Sequence, residues 1–349
     1  MNSLKAVITD VEGNYRGLES KLYQLPSVAG GIGLFGAGDL NGPFNKDFLR
    51  SKRAKTPEKY YQNLYDSPLK GEDGKEQALD FGTRAYDETT GIIDLLTNNP
   101  KINVEALISG NGEEDYQKFI PYFSNLKSPR DMFDSSDLNF IEMPDVYFYK
   151  DGKRVEGDED VDAAVLLLPY IQPYQDYNII QKIFGQKSSD KNYMRKALQM
   201  LFEDNGIIDK IKKANPKYIF QIQHELPDKE IFRPYGTPHD AKNKEIYEAV
   251  MEEISKYIEG TGKNYTIIFG HMEKGGRFRK TINYKGKDIK TIHVGEKGSD
   301  ILLFDVKTGK IYEKGEEVEI SDDEELSEKT IEDVLEECEE ECMEEAESE

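Results

Sequence analysis

Five short runs of β-type apolar residues, at 4–8, 32–37, 104–108, 218–222 and 265–269, each lead into a polar side chain able to hold a metal ion: Asp10, Asp39, Asn111, His224 and His271. The runs are rich in Ile, Val, Phe and Tyr and read as buried strands. In an open α/β sheet, groups just beyond the carboxyl ends of parallel strands converge on one crevice, so residues far apart in sequence can meet there. With Glu12, Glu113 and Glu273 alongside, the expected constellation is oxygen-rich with two imidazoles. Such a donor set suits divalent cations.

Between the strands the apolar spacing becomes helical. Leu18, Leu22 and Leu25 follow the first run, and Tyr116, Phe119, Ile120 and Phe123 follow the third. Tyr193, Met194, Ala197, Leu198, Leu201 and Phe202 precede the fourth, and Ile246, Val250, Ile254 and Ile258 precede the fifth. The alternation predicts an α/β fold. Hairpin signals come later: 146–149 before Asp151-Gly152, and 301–306 before Thr308-Gly309, with 290–294 nearby. They suggest a second sheet. Residues 45–91, with Tyr60, Tyr61, Tyr65 and several Lys and Arg, read as a helical or loop segment inserted between strands two and three.

The net charge of −22 over 349 residues is concentrated at one end: residues 316–349 hold 19 acidic side chains and one lysine, leaving 49 acidic against 45 basic in the rest. The expected organisation is therefore one domain over 1–315 and an acidic tail over 316–349, disordered or partly helical. Ser321-Asp322-Asp323-Glu324 has capping-box spacing, and Leu326, Ile331, Val334, Leu335, Cys338 and Cys342 place a thin apolar stripe on a very acidic helix. It reads as a solubilising tail or, alternatively, as a segment that docks on a basic protein partner or on the protein's own basic face. Cys338 and Cys342 are the only cysteines, so no disulfide framework supports the body. No apolar run approaches the ~20 residues that span a bilayer, and no leader pattern stands at the start, so a cytoplasmic location is expected. The body is slightly acidic and carries no nucleic-acid module.

Asp10-Val11-Glu12-Gly13-Asn14, Gly38-Asp39-Leu40-Asn41-Gly42, Gly110-Asn111-Gly112-Glu113, His224-Glu225-Leu226-Pro227 and Gly270-His271-Met272-Glu273 occur in that order. Over roughly residues 1–312 the series resembles the calcineurin-like metallophosphoesterase family, whose pattern runs Asp-x-His, Gly-Asp, Gly-Asn-His-Glu/Asp, a lone His after a strand, then Gly-His-x-His. The resemblance implies a four-layer α/β/β/α sandwich, and hydrolysis of a phosphomonoester or phosphodiester at a two-metal site. It gives one site from Asp10, Glu12, Asp39 and Glu273, and a second from Asp39, Asn111, His224 and His271, with Asp39 bridging.

Three positions depart from that pattern. Glu12 and Glu273 stand where ligand histidines are expected, and Gly112 stands where the catalytic histidine is expected. Glutamate keeps a ligand atom, so the first site becomes all carboxylate and favours Mn²⁺, Mg²⁺ or Ca²⁺ over Zn²⁺, with Mn²⁺ or Mg²⁺ the expected cofactor. Glycine keeps nothing. The two added carboxylates also reduce the positive charge that draws in a phosphate, and loss of a positioned general acid typically removes ~10²–10⁴ in rate. His239 and His293 are the candidate substitutes for that acid.

The expectation is thus a divalent-metal-dependent phosphoesterase acting on a phosphorylated small molecule or a phosphodiester with reduced activity. The alternative is an inactive scaffold of the same fold. Lys274, Arg277, Arg279 and Lys280 follow Glu273 directly, and Arg277 and Arg279 are candidates for holding the phosphate; a solvated loop is the other reading. A second basic group comprises Lys46, Arg50, Lys52, Arg53 and Lys55.

Two other matches are weaker. Gly31-Ile32-Gly33-Leu34-Phe35-Gly36 fits the dinucleotide fingerprint but lies inside a predicted strand, whereas that motif opens a helix. Asp10-Val11-Glu12-Gly13 is also similar to the first motif of haloacid-dehalogenase phosphatases, a reading that leaves Gly38-Asp39 and Gly270-His271 without a role.

Overall fold

The computed structural model describes residues 3–11, 14–40, 86–110, 132–133, 135–157, 160–170, 191–225, 241–270, 279–284, 286–294, 301–313 and 316–318. All five predicted runs are strands: β1 (Leu4–Ile8), β2 (Ile32–Ala37), β3 (Ile102–Ile108), β8 (Tyr218–Gln223) and β9 (Asn264–Phe269). The later segments also form strands, β5 (Asp145–Lys150), β11 (Lys287–His293) and β12 (Leu302–Asp305). Strand β2 is continuous through Gly33 and Gly36, so the glycine run opens no helix.

The protein is mixed α/β with two seven-stranded mixed sheets. The first has the order β14 (Glu316–Val318), β13 (Ile311–Glu313), β12, β1, β2, β3, β4 (Phe140–Ile141). The second runs β10 (Arg279–Tyr284), β11, β9, β8, β7 (Ala163–Leu168), β5, β6 (Lys153–Val155). Strands β1 to β4 are parallel to one another, as are β7, β8, β9 and β11; antiparallel strands finish each sheet. Of the five runs, three lie in the first sheet and two in the second.

Three apolar clusters hold these elements. One joins the sheets, with Val7, Phe35, Ala106 and Phe304 from the first meeting Tyr147, Val165, Phe220 and Ile268 from the second; the Phe220 and Phe304 rings lie 4.5 Å apart. Strands buried on both faces read as continuous apolar runs, which is why these segments show so little alternation. A second cluster packs Ala6, Ile8, Ile32 and Leu34 with Leu18 and Leu22 of α1 (Tyr15–Gln24) and with Ile92 and Leu96 of α2 (86–98). The third packs Leu166, Ile219, Ile267 and Phe269 with α3 (Lys191–Phe202), α4 (Ile207–Ala214) and α5 (Ala241–Ile258).

Helix boundaries follow local chemistry. Asn14 caps α1 by accepting from the Gly17 amide at 3.0 Å, which satisfies one of the orphan donors of the first turn. The helix stops at Gln24, and Leu25, expected within it, is extended before Pro26, as a residue preceding proline must be. Ile246, Val250 and Ile254 of α5 are buried at the predicted spacing.

Several expectations fall elsewhere. Helix α2 begins inside the segment assigned to 45–91, whose residues 45–85 lie outside the described residues, as do the helix around 116–123 and the tail from 319. Residues 316–318, placed in the tail by their charge, are the edge strand β14, paired with β13. Arg279 and Lys280 open β10 and are not part of a loop. No helix among the described residues is long and apolar enough to cross a membrane.

Candidate metal centre

The parallel strands of both sheets end at one place. Asp10, Asp39 and His224 follow β1, β2 and β8, are buried, and each offers a ligand atom within 4.8 Å of the others. The ends of neighbouring strands close around them. The Gly270 amide, after β9, donates to the His224 carbonyl at 2.9 Å, and the Tyr170 amide, after β7, donates to the Ser109 carbonyl beyond β3 at 2.9 Å.

Both aspartates have left-handed backbones, with φ of 48° at Asp10 and 49° at Asp39. Non-glycine residues adopt this region rarely and at a cost, and they do so where surrounding structure over-determines the conformation. Here the constraints are visible. The Asp10 amide donates to the Gly38 carbonyl at 3.1 Å, so the two loops lock each other, and Thr9 Oγ1 donates to Asp10 Oδ2 at 2.6 Å. Gly38, at φ 89°, sits where a Cβ would fall 2.6 Å from Gly110 Cα and 2.8 Å from His224 Nδ1. A Cβ on Gly110 would strike Asp39, and one on Gly270 would strike Thr9 and Asp10. Gly38, Gly110 and Gly270 are thus required for the aspartates and the histidine to approach.

His224 is fully buried. Its Nδ1 lies 3.0 Å from the Ala37 carbonyl, which can only accept, so Nδ1 carries a proton and Nε2 is the atom turned to the aspartates, 3.3 Å from Asp39 Oδ2. Tyr170 stands edge-on to the imidazole with ring centroids 6.0 Å apart. Burial works against a charged ring, but Asp39, then Asp10 and Glu225, outweigh it and push the His224 pKa up to about 10.

In the metal-free protein His224 is therefore an imidazolium that balances part of the buried carboxylate charge. Its folded pKa exceeds the ordinary value of about 6.5, so its contribution to stability is complete below about pH 6.5 and is lost as the pH rises through about 10. Melting temperatures of chelator-treated protein should fall steadily from about pH 7 to pH 9.5. A flat or rising profile would show that the ring is neutral in the folded state.

This donor set fits a divalent cation. Two buried carboxylates call for positive charge, and a hydrogen bond from Nδ1 to a carbonyl is how ligating histidines are oriented. Among the other sequence candidates, Glu12, Asn111, Gly112, Glu113, His271, Glu273, Arg277 and His239 lie outside the described residues. Arg279 begins the edge strand β10, two strands out from β9. His293 ends β11 in register with Phe269, which belongs to the helix-facing cluster. It therefore points away from the space between the sheets, where Asp10, Asp39 and His224 meet, and the structure does not support it as the substitute acid. Thr9 and Tyr170 had no distinguishing sequence signal. Glu225, buried at 3 % exposure, could have been noted as the neighbour of a candidate ligand.

No protein-family model and no curated protein matches the chain. Among solved structures the chain is similar to a cold-active protein-tyrosine phosphatase of a psychrophilic Shewanella species, at 12 % identity over 91 % of this chain and 80 % of that one, with a TM-score of 0.32. What the structure itself defines is a mixed α/β protein with a buried Asp-Asp-His group, suited to a metal ion, where its two sheets meet.

Proposed function

We propose that the chain is a divalent-metal-dependent phosphoesterase of the calcineurin-like metallophosphoesterase kind, folded as a four-layer α/β/β/α sandwich. One observation carries the reading: Asp10, Asp39 and His224, from three separate motifs and two sheets, bring ligand atoms within 4.8 Å. Three separate apolar clusters, one between the sheets and one shared by each sheet with helices, support the layered architecture. The remaining ligands in this reading are Glu12, Asn111, His271 and Glu273, with Arg277 and Arg279 holding the phosphate.

When bound, Mn²⁺ or Mg²⁺ supplies Lewis-acid polarisation of a phosphoryl oxygen and lowers the pKa of a bound water. The chain's own residues provide the geometry. Asp39, with Oδ2 3.3 Å from His224 Nε2 and a ligand atom within 4.8 Å of Asp10, would be the ligand common to both sites in this reading. Thr9 holds one Asp10 oxygen, Ala37 fixes the imidazole tautomer, and Gly38, Gly110 and Gly270 let these groups close up.

Gly112 leaves the leaving-group oxygen without the histidine the family pattern places there. Rates should then fall steeply as the leaving-group pKa rises, with activated aryl esters favoured over alkyl esters. The deciding experiment measures metal content of the purified protein together with hydrolysis of an aryl phosphate monoester and diester across Mn²⁺, Mg²⁺ and Zn²⁺. Metal-dependent aryl ester hydrolysis is expected. Bound metal with no turnover would make the protein a metal-holding scaffold, and equal rates for aryl and alkyl esters would show that another residue donates the proton.

A further inference from the structure

On the helix-facing side of β8 the apolar lining is interrupted twice. Gln221 and Gln223 are both fully buried, beside Leu166, Leu168 and Ile267 of the third cluster in register with them. A primary amide placed there is destabilising unless it finds hydrogen-bond partners. Each amide here accepts one hydrogen bond and donates one, in a single chain. Tyr265 Oη donates to Gln221 Oε1 at 2.6 Å, Gln221 Nε2 to Gln223 Oε1 at 2.5 Å, and Gln223 Nε2 to the Glu225 carbonyl at 2.5 Å. That last carbonyl can only accept, so it fixes the orientation of both amides and of the Tyr265 hydroxyl from the site end.

The chain ends where the strand stops being held by its neighbours. The His224 carbonyl is bonded to the Gly270 amide, and the Glu225 carbonyl, one residue on, is bonded by Gln223. Together they hold two successive peptides on the C-terminal side of His224, the first of them attached to the carbon that carries the imidazole. We propose that Gln223, backed by Gln221 and Tyr265, is a positioning residue of the metal centre: by pinning the Glu225 carbonyl it fixes the direction in which His224 Nε2 points. The inference rests on the metal reading of the same site. A leucine pair would fill the space and bury more apolar surface, so packing alone does not call for two glutamines here.

The test uses the full-length protein stripped with chelator, with Mn²⁺ titrated by calorimetry and Co²⁺ used as a visible reporter of coordination, at a temperature where each variant is folded. Gln223→Met keeps the length and loses the donor; it should weaken Mn²⁺ binding by ~10-fold, the low end of what losing a partner bonded directly to a ligand costs, and change the Co²⁺ spectrum. Tyr265→Phe removes only the far hydroxyl and should weaken binding roughly threefold, one modest hydrogen bond's worth, which decides the matter if Gln223→Met does not fold. A purely structural role lowers the melting temperature and leaves affinity and spectrum unchanged, and that result overturns the inference. Absence of Mn²⁺ binding by the unsubstituted protein overturns the metal reading itself, and it is seen before any substitution is made.

Discussion

His224→Ala should weaken Mn²⁺ binding by ~10² or more, since losing even the outer partner of a ligand costs 10–100-fold and this change removes a ligand atom. Asp39→Asn should do the same, because Asp39 brings a ligand atom within 4.8 Å of Asp10 and lies 3.3 Å from the imidazole. Calorimetry on chelator-stripped protein checks both. The two variants should differ in the metal-free state: His224→Ala removes a cationic group beside the buried Asp39 and lowers the melting temperature, whereas Asp39→Asn removes one of the charges that raise the His224 pKa. Unchanged affinity in either variant would remove that residue from the site.

The second large effect concerns the glycines. Gly38→Ala combines a left-handed backbone with a Cβ 2.6 Å from Gly110 Cα, and should cost roughly 2–5 kcal/mol of stability, strain and overpacking together. Gly270→Ala meets the side chains of Thr9 and Asp10 and should lose metal affinity as well as stability, because what has to give way is a ligand. The control is Gly260→Ala, which shares the positive φ but has open space around it and should cost only about 1–2 kcal/mol. Denaturant melts distinguish them. Equal losses at Gly38 and Gly260 would show that the loops around Asp39 yield easily, contrary to the interlocked geometry.

The site's backbone strands were legible because strands buried on both faces are continuous apolar runs, and each stops abruptly at a polar residue where the parallel strands run out. Strand β7 is as apolar as the others but leads into Pro169-Tyr170, with no ligand-type residue to draw notice. Strand β10 begins with Arg279 and Lys280, and charge at a sheet edge is indistinguishable from a charged loop in sequence. Helix α4 buries Ile207, Ile208, Ile211 and Ala214, a short pattern overshadowed by the longer helix before it. The distribution of the five runs over two sheets depends on crossovers that local spacing does not encode. The left-handed conformations of Asp10 and Asp39 were equally hidden; only the glycine before Asp39 hints at them. The amides of Gln221 and Gln223, read singly, are polar residues in a strand, and their role shows only when Tyr265 and the Glu225 carbonyl are seen at either end of them.

Everything functional in this account depends on a cation lying among Asp10, Asp39 and His224. Crystals grown from chelator-stripped protein and soaked in Mn²⁺ would show this directly in an anomalous difference map. The expected result is a peak about 2.0–2.4 Å from an Asp39 carboxylate oxygen and from His224 Nε2, with Nδ1 still bonded to the Ala37 carbonyl. A map with no peak there, with the Nε2–Asp39 contact intact at saturating Mn²⁺, would identify the group as a buried ion pair and contradict the metal centre.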